Sequence, residues 1–462
     1  MKWWKIGIFF MTTLLFMACK KGFLDVPDKT VLLKEAYVKD LTTLDDYLNG
    51  VYVGMAAEFY EGQYAVYPDL VSDNVKTTVG GFLSAHYMWQ QNVQTANLDV
   101  LWQTGYRLVR ECSFVIEKSN EFREEDGLKA NRIKGQALAL RALLHSYLVN
   151  LFAQSYNYTI DGRHPGIPYI TTSDREIAVS RQTVNEVYNY LVSDLQEAMQ
   201  LLPKAIASNK RMNYYAAEAL LSRVYLFRQM YSASKDMALD VIEHVPLMLQ
   251  NYPEKSYTDQ ETDALFQLVP SNFGKSGYST SFLGLYFGYN IYYPTDDIAE
   301  LLRSNYSDKR SKWISLDTVS KKWIVTKFPE GVTGDAYGPI GDYYLTLFKS
   351  SEMYLNAAES YFNLNKEDSA GFYINRIRKR AGIDETSVTG SNLRDSIYQE
   401  RRKELAFDGM RMFDLLRWKK GVYRKDALSA NVRELSYPNE KAIAPIPKPD
   451  VDLSHLKQNE GY

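Results

Sequence analysis

Two stretches of this chain repeat one plan, and that plan most restricts the fold. Residues 214–228 read as a helix in which Ala216, Ala217 and Ala219 sit among Leu220, Leu221, Val224 and Tyr225. A break at Met230–Ser232 precedes a second helix from Ala233 to about His244. Residues 350–364 and 369–381 repeat the arrangement, with Tyr354, Ala357, Ala358 and Tyr361 on the first helix and Ala370, Tyr373, Ile374 and Ile377 on the second. Small residues let antiparallel helices approach closely, and the period is near that of a tetratricopeptide repeat. Such hairpins cannot bury their apolar faces alone, so they stack and share a core. The predicted class is mostly α: a tetratricopeptide-like helical hairpin scaffold with irregular ligand-binding loops and few short strands.

Helical periodicity extends over much of the rest. Leu41, Leu44, Leu48 and Val51 share a face, as do Ile133, Ala137, Leu140, Leu144 and Leu151. Thr183 and Glu186 form a capping box before an apolar row from Val184 to Ala198, and Pro203 stops that helix. Between residues 246 and 345 the pattern lapses, leaving a candidate strand at Lys321–Phe328. Helix returns at Ser391–Phe407 and Met410–Lys419, and the tail is a proline-punctuated loop.

The N-terminus reads as an export signal. Lys2 and Lys5 precede an apolar run from Ile6 to Met17, closed by Ala18-Cys19. That run is shorter than the ~20 residues a membrane span needs. Cys19 directly after the small residue matches a lipoprotein signal, with Phe16 where leucine is usual. Acyl chains on Cys19 then anchor the protein to a membrane, and several chains make the attachment durable. The only other cysteine, Cys112, lies in an apolar row with Leu101, Leu108 and Val115 and reads as a core thiol. Net charge is −2 and no basic tract occurs, which argues against nucleic-acid binding.

Tyrosine stands out, with 36 residues against 5 histidines. Many tyrosines pack between helices, but residues 273–293 place Tyr278, Tyr286, Tyr289, Tyr292 and Tyr293 among Gly274, Gly277, Gly284 and Gly288. Glycine permits irregular backbone, and loops on rigid scaffolds commonly carry binding groups. Tyrosine rings stack on the apolar faces of sugars while polar side chains bond the hydroxyls. A packed loop is the competing account. Tyr87 and Trp89 are further candidates, although large aromatics are mostly buried. Asp73-Asn74 reads as a turn or cap and, beside aromatic rings, as a candidate sugar contact. Glu400–Arg402 and Arg411–Arg417 suggest either an acidic-ligand site or a buried network in which arginines pair with Glu404 or Asp414. The network is the stronger reading.

Several short pieces together resemble the SusD/RagB family of Bacteroidetes outer-membrane lipoproteins. They include Phe23-Leu24-Asp25, the pair Trp102 and Tyr106, Ala137–Ala142 with Tyr147, and Arg223–Leu226. Glu352–Leu355, Asn375–Gly382, Glu400–Leu405, Gly409–Trp418, Pro445–Pro447 and Gln458–Tyr462 complete the ordered set. The resemblance implies a non-catalytic binding protein without cofactor, capping a SusC-like TonB-dependent transporter on the outer face of the outer membrane. It implies a glycan ligand, or a peptide in some members. The expected divisions are a signal peptide at 1–18, a lipidated tether at 19–33 and a helical region at 34–245. A Tyr/Gly ligand-binding region at 246–345 and a C-terminal helical region at 346–462 follow. A glycoside hydrolase would need two carboxylates across a sugar, which the sequence does not pair. Metal and phosphate-loop motifs are absent from the sequence, so no catalytic residue and no metal ligand is assigned. A scaffold binding only protein is the third reading.

Overall fold

The computed structural model describes residues 34–77, 83–94, 98–270, 292–328 and 344–462. Cys19, with the signal and tether expected around it, lies outside them, as do Tyr278, Tyr286 and Tyr289.

The helices form where the periodicity places them. α1 (Leu41–Gly54) starts at Asp40, whose carboxylate accepts the N–H groups of Thr42 and Thr43 while the Thr43 hydroxyl takes the Asp40 N–H. It runs into a π-helical stretch, Met55–Tyr64. α2 (Asp99–Glu121) and α3 (Gly127–Phe152) form a long hairpin. α4 (Val184–Leu201) opens on the expected Thr183–Glu186 capping box. α5 (Tyr214–Phe227) and α6 (Tyr231–His244) are the first predicted pair. α7 is Asp296–Arg303, α8 is Ser350–Asn363 and α9 is Glu367–Ala381. α10 (Gly390–Glu404) and α11 (Arg411–Arg417) complete the main set. No helix among the described residues is long and apolar enough to cross a membrane.

From α2 to α6 each helix packs on the next, then α6 packs on α8 and α8 on α9 and α10. All fourteen residues of α5 are buried, because its alanines admit neighbours on every side. A helix buried around its whole circumference belongs in the interior, and its Arg223 keeps its charge there by pairing with Glu352 at 2.7 Å. The predicted faces point inward: Leu44, Leu48, Val51, Ile133, Ala137, Leu140, Leu144 and Leu151 are fully buried, as is Cys112. α9 ends on Gly382, whose φ of +82° is left-handed and suits glycine.

The contact between α6 and α8 is made across the intervening region of the chain, which leaves and re-enters the scaffold through strands. β1 is Val75–Thr77, β2 Ala264–Leu268 and β3 Tyr292–Pro294. β4 (Ile314–Leu316), β5 (Trp323–Val325) and β6 (Leu345–Lys349) follow. Among these the antiparallel pairs are β1 with β3, β2 with β6 and β4 with β5, and a further pair joins Val422–Tyr423 to Glu434–Leu435. The strand expected at Lys321–Phe328 is thus shorter, because only Trp323–Val325 finds a partner. The region read as loop also contains α7, capped by the Thr295 hydroxyl on the Ile298 N–H, and the wholly buried β2.

Candidate ligand-binding site

The arginine-rich motifs of α10 and α11 face inward as a network. Arg401 reaches both Asp414 oxygens at 2.9 Å and Asn356 at 2.8 Å. Arg417 also binds Asp414 (2.8 Å) and reaches Glu359 (2.7 Å). Glu400 accepts from Arg310 at 2.7 Å and Arg378 at 2.8 Å, and Glu404 is paired with Arg380. Burial raises the Asp414 pKa, but Arg401 and Arg417 outweigh it and hold the carboxyl below its ordinary range. In a dry interior charges persist only when paired and hydrogen-bonded, and here both conditions are met. These side chains tie helices together and are not free to hold an acidic ligand.

The same architecture decides the fate of Asp73 and Asn74. The Asp73 carboxylate takes a two-pronged grip from Arg411 (2.7 and 2.8 Å). Its carbonyl accepts from Arg402 (2.9 Å) and from the Thr295 hydroxyl (2.8 Å). Burial opposes its charge, yet Arg402 and Arg411 pull its pKa far below the carboxylate range. Asn74 donates to Asp69 at 2.8 Å and accepts from Arg402 at 2.9 Å. Both residues are buried. As sugar contacts they are corrected: their polar atoms are spent on internal arginines.

Tyr87 and Trp89 do approach each other, but around a cation. The Arg424 guanidinium lies 4.0 Å from the centre of each ring. It donates to the carbonyls of Leu70 (3.0 Å), Ser72 (2.8 Å) and Tyr87. Trp89 donates its indole N–H to the Val71 carbonyl at 3.1 Å. The rings are only 1% and 7% exposed, so neither offers a face to a sugar. Tyr292 is 2% exposed in β3, opposite Thr77 of β1. The end of the Tyr/Gly segment therefore does reach the Asp73–Trp89 neighbourhood. The described members of the nominated set form its buried foundation.

An opening that the sequence reading did not nominate lies at the start of α2. A cleft of about 480 Å³ runs between Trp102 and Tyr106, the segment from Pro168 to Val179, and the tail around Asp450–Leu456. The Tyr106 hydroxyl is fixed to the Pro168 carbonyl at 2.8 Å, and its ring meets Trp102 edge-on at 4.7 Å. The signal was present, since Trp102 and Tyr106 stand one turn apart on one face. Only the fold shows that residues 168–179 and the tail complete the walls. Among the described residues no group of three or more His, Cys, Asp or Glu is placed to hold a metal.

Comparisons with known proteins bear on this arrangement. Residues 22–226 match a SusD-like family described as starch-binding, associating with outer membrane, and residues 287–462 match the SusD family. The chain is 24% identical to SusD-like protein P2 of Formosa agariphila, over 94% of this chain and 95% of that protein. SusD-like protein P25 of the same organism is 22% identical over 80% of each chain. A SusD superfamily protein of Bacteroides thetaiotaomicron superposes with a TM-score of 0.82 at 27% identity, covering 91% of this chain and 100% of its own. One from Bacteroides vulgatus gives the same TM-score and identity, covering 92% and 100%.

Proposed function

Because the chain belongs to the SusD/RagB family, we propose that it is a surface lipoprotein that captures a glycan and delivers it to a TonB-dependent transporter in the outer membrane. The observation that carries this reading is the family match in both halves of the chain, joined to a fold shared over 91% of it. The family is one of binding proteins, and we read this member as binding without cleavage.

The transporter is proposed as partner because a capture protein lacking its own pore must pass ligand to one. The stacked helical hairpins offer it an extended docking surface. Gentle solubilisation of outer membranes should co-purify the two; recovery of this protein alone would count against the handover. Attachment is assigned to Cys19, placed after the apolar run. Cys19→Ala should abolish acylation and shift the protein from the membrane to the soluble fraction, since the acyl chains supply the membrane affinity. Palmitate labelling with fractionation checks this, and a labelled, membrane-bound variant refutes it.

Ligand contact is assigned to Tyr278, Tyr286 and Tyr289, in the segment that leaves β2 and returns at β3. Retardation in polysaccharide gels should reveal a glycan, with a peptide panel as the contrasting arm. Alanine at a contacting tyrosine should then cost about 1–3 kcal/mol of affinity with little change in stability. If calorimetry shows unchanged affinity for all three variants, the assignment fails.

A further inference from the structure

The cleft at the start of α2 is unevenly charged. Arg110 of α2 and Arg175 of the facing segment both line it. Among the described residues neither has a carboxylate ion-pair partner; Arg110 donates instead to the backbone carbonyl of Asp174. The Asp174 carboxylate, which accepts the Glu176 N–H at 2.8 Å, offsets part of the Arg110 charge. Burial and the neighbouring Arg175 charge both lower the Arg110 pKa, so two like charges face one space.

A second cleft, of about 350 Å³, shares Val179, His455 and Leu456 with the first and adds Arg181 and Lys457. Arg181 gives every one of its bonds to a neutral oxygen: Gly166 at 2.6 Å, Lys457 at 2.7 Å, Asn459 at 2.8 Å and Pro165 at 3.2 Å. Its charge is therefore uncancelled. The opposing carboxylate is Asp450, held by the Trp102 side chain, with burial raising its pKa. Cationic side chains outnumber carboxylates in the lining of the double cleft. Its walls are apolar in part: the Tyr106 ring is half-buried, while Ile177 is 49% and Leu453 80% exposed.

We propose that this double cleft binds an acidic oligosaccharide, with Arg110 and Arg175 receiving its carboxylate or sulfate groups. The proposal rests on the glycan reading above and adds the class of glycan and a second place for it. Arginine's planar fork matches such oxyanions. A single small anion needs neither the apolar wall nor two connected clefts. A sugar chain bearing acid groups has C–H faces for the first and length for the second.

The test is calorimetry on the intact chain with oligogalacturonate and a sulfated carrageenan oligosaccharide, against neutral maltoheptaose and oligoglutamate. At least one acidic sugar should bind, more weakly as salt rises. Arg110→Gln and Arg175→Gln should each weaken it about tenfold or more, the loss of one charge-assisted hydrogen bond. Asp450→Asn should strengthen it, a sign that general destabilisation does not produce. Unaltered melting of the exposed Arg175→Gln variant separates binding from folding. Binding of maltoheptaose alone, or acidic-sugar binding that none of the three substitutions changes, overturns the acidic site and leaves glycan capture standing. Oligoglutamate binding without any sugar overturns the proposal in favour of a peptide. Failure of every saccharide, here and in the gel panel, overturns both readings.

Discussion

Asp414→Ala should lower the stability of the folded chain by about 3–5 kcal/mol, the cost of leaving a buried charge without its partner. Asp414 is 2% exposed and lies between Arg401 and Arg417. Arg401 would keep only Asn356 within hydrogen-bond range, with Glu352 3.8 Å away, and Arg417 would rest on Glu359 alone. Because these contacts join α8, α10 and α11, the loss should appear in global unfolding. Urea denaturation should show a lower midpoint with an unchanged slope. Replacing Arg401 and Asp414 together by apolar residues should recover part of the loss, since the desolvation cost disappears with the charges. A single-variant loss under about 1 kcal/mol would mean that water reaches the network and relieves it.

Stability should also collapse on acidification below about pH 4, where unpaired carboxylates in the unfolded chain take up protons. In the folded chain burial raises the Glu404 pKa, but Arg380, Lys349 and Arg310 outweigh it and bring it to about 2. Asp308, Asp408 and Asp414 are lowered in the same manner. A depressed carboxylate stabilises the fold above its unfolded pKa and loses that contribution as pH falls through the folded value. Glu404 alone should account for about 3 kcal/mol by linkage. His145 acts in the same direction, because burial lowers it to about 3 and acid must charge it.

Between pH 5 and 7 the balance is flatter. Burial raises Asp69 and Glu261 to about 7, so they favour the folded state as pH falls and offset His145. Melting temperature measured from pH 8 to pH 3 should show a plateau and then a steep drop. A melting temperature at pH 3 within a few degrees of that at pH 6 would contradict the carboxylate assignments.

The scaffold was readable because its signals are local. The α4 cap and the paired helices α5–α6 and α8–α9 each follow from residues within a few turns of one another. The arginine motifs were readable as a network because each lies beside carboxylates on the same stretch of chain. β2 was not readable: Ala264–Leu268 is a short apolar run, and such runs do not distinguish strand from helix by period. α7 is hidden in the sequence: Thr295-Asp296-Asp297 is a helix start, but it follows a run of tyrosines and glycines without helical period. The alternative reading of Asp73 and Trp89 as ligand contacts gives way for a different reason. Their partners, Arg411 and Arg424, come from far along the chain, 338 positions away for Asp73. Composition cannot show that an arginine will arrive between two aromatic rings.

The direct seating of α6 on α8 has a consequence for descent with change. The segment from Leu268 to Tyr292 is tied at both ends, by β2 to β6 and by β3 to β1. Doubling the length of chain between two fixed ends costs only about 0.6 kcal/mol. A lineage can therefore rewrite this stretch while the helical frame stays as it is. Segment and scaffold are inherited on separate terms, and a chimaera carrying a foreign stretch between those two anchors should melt like its parent.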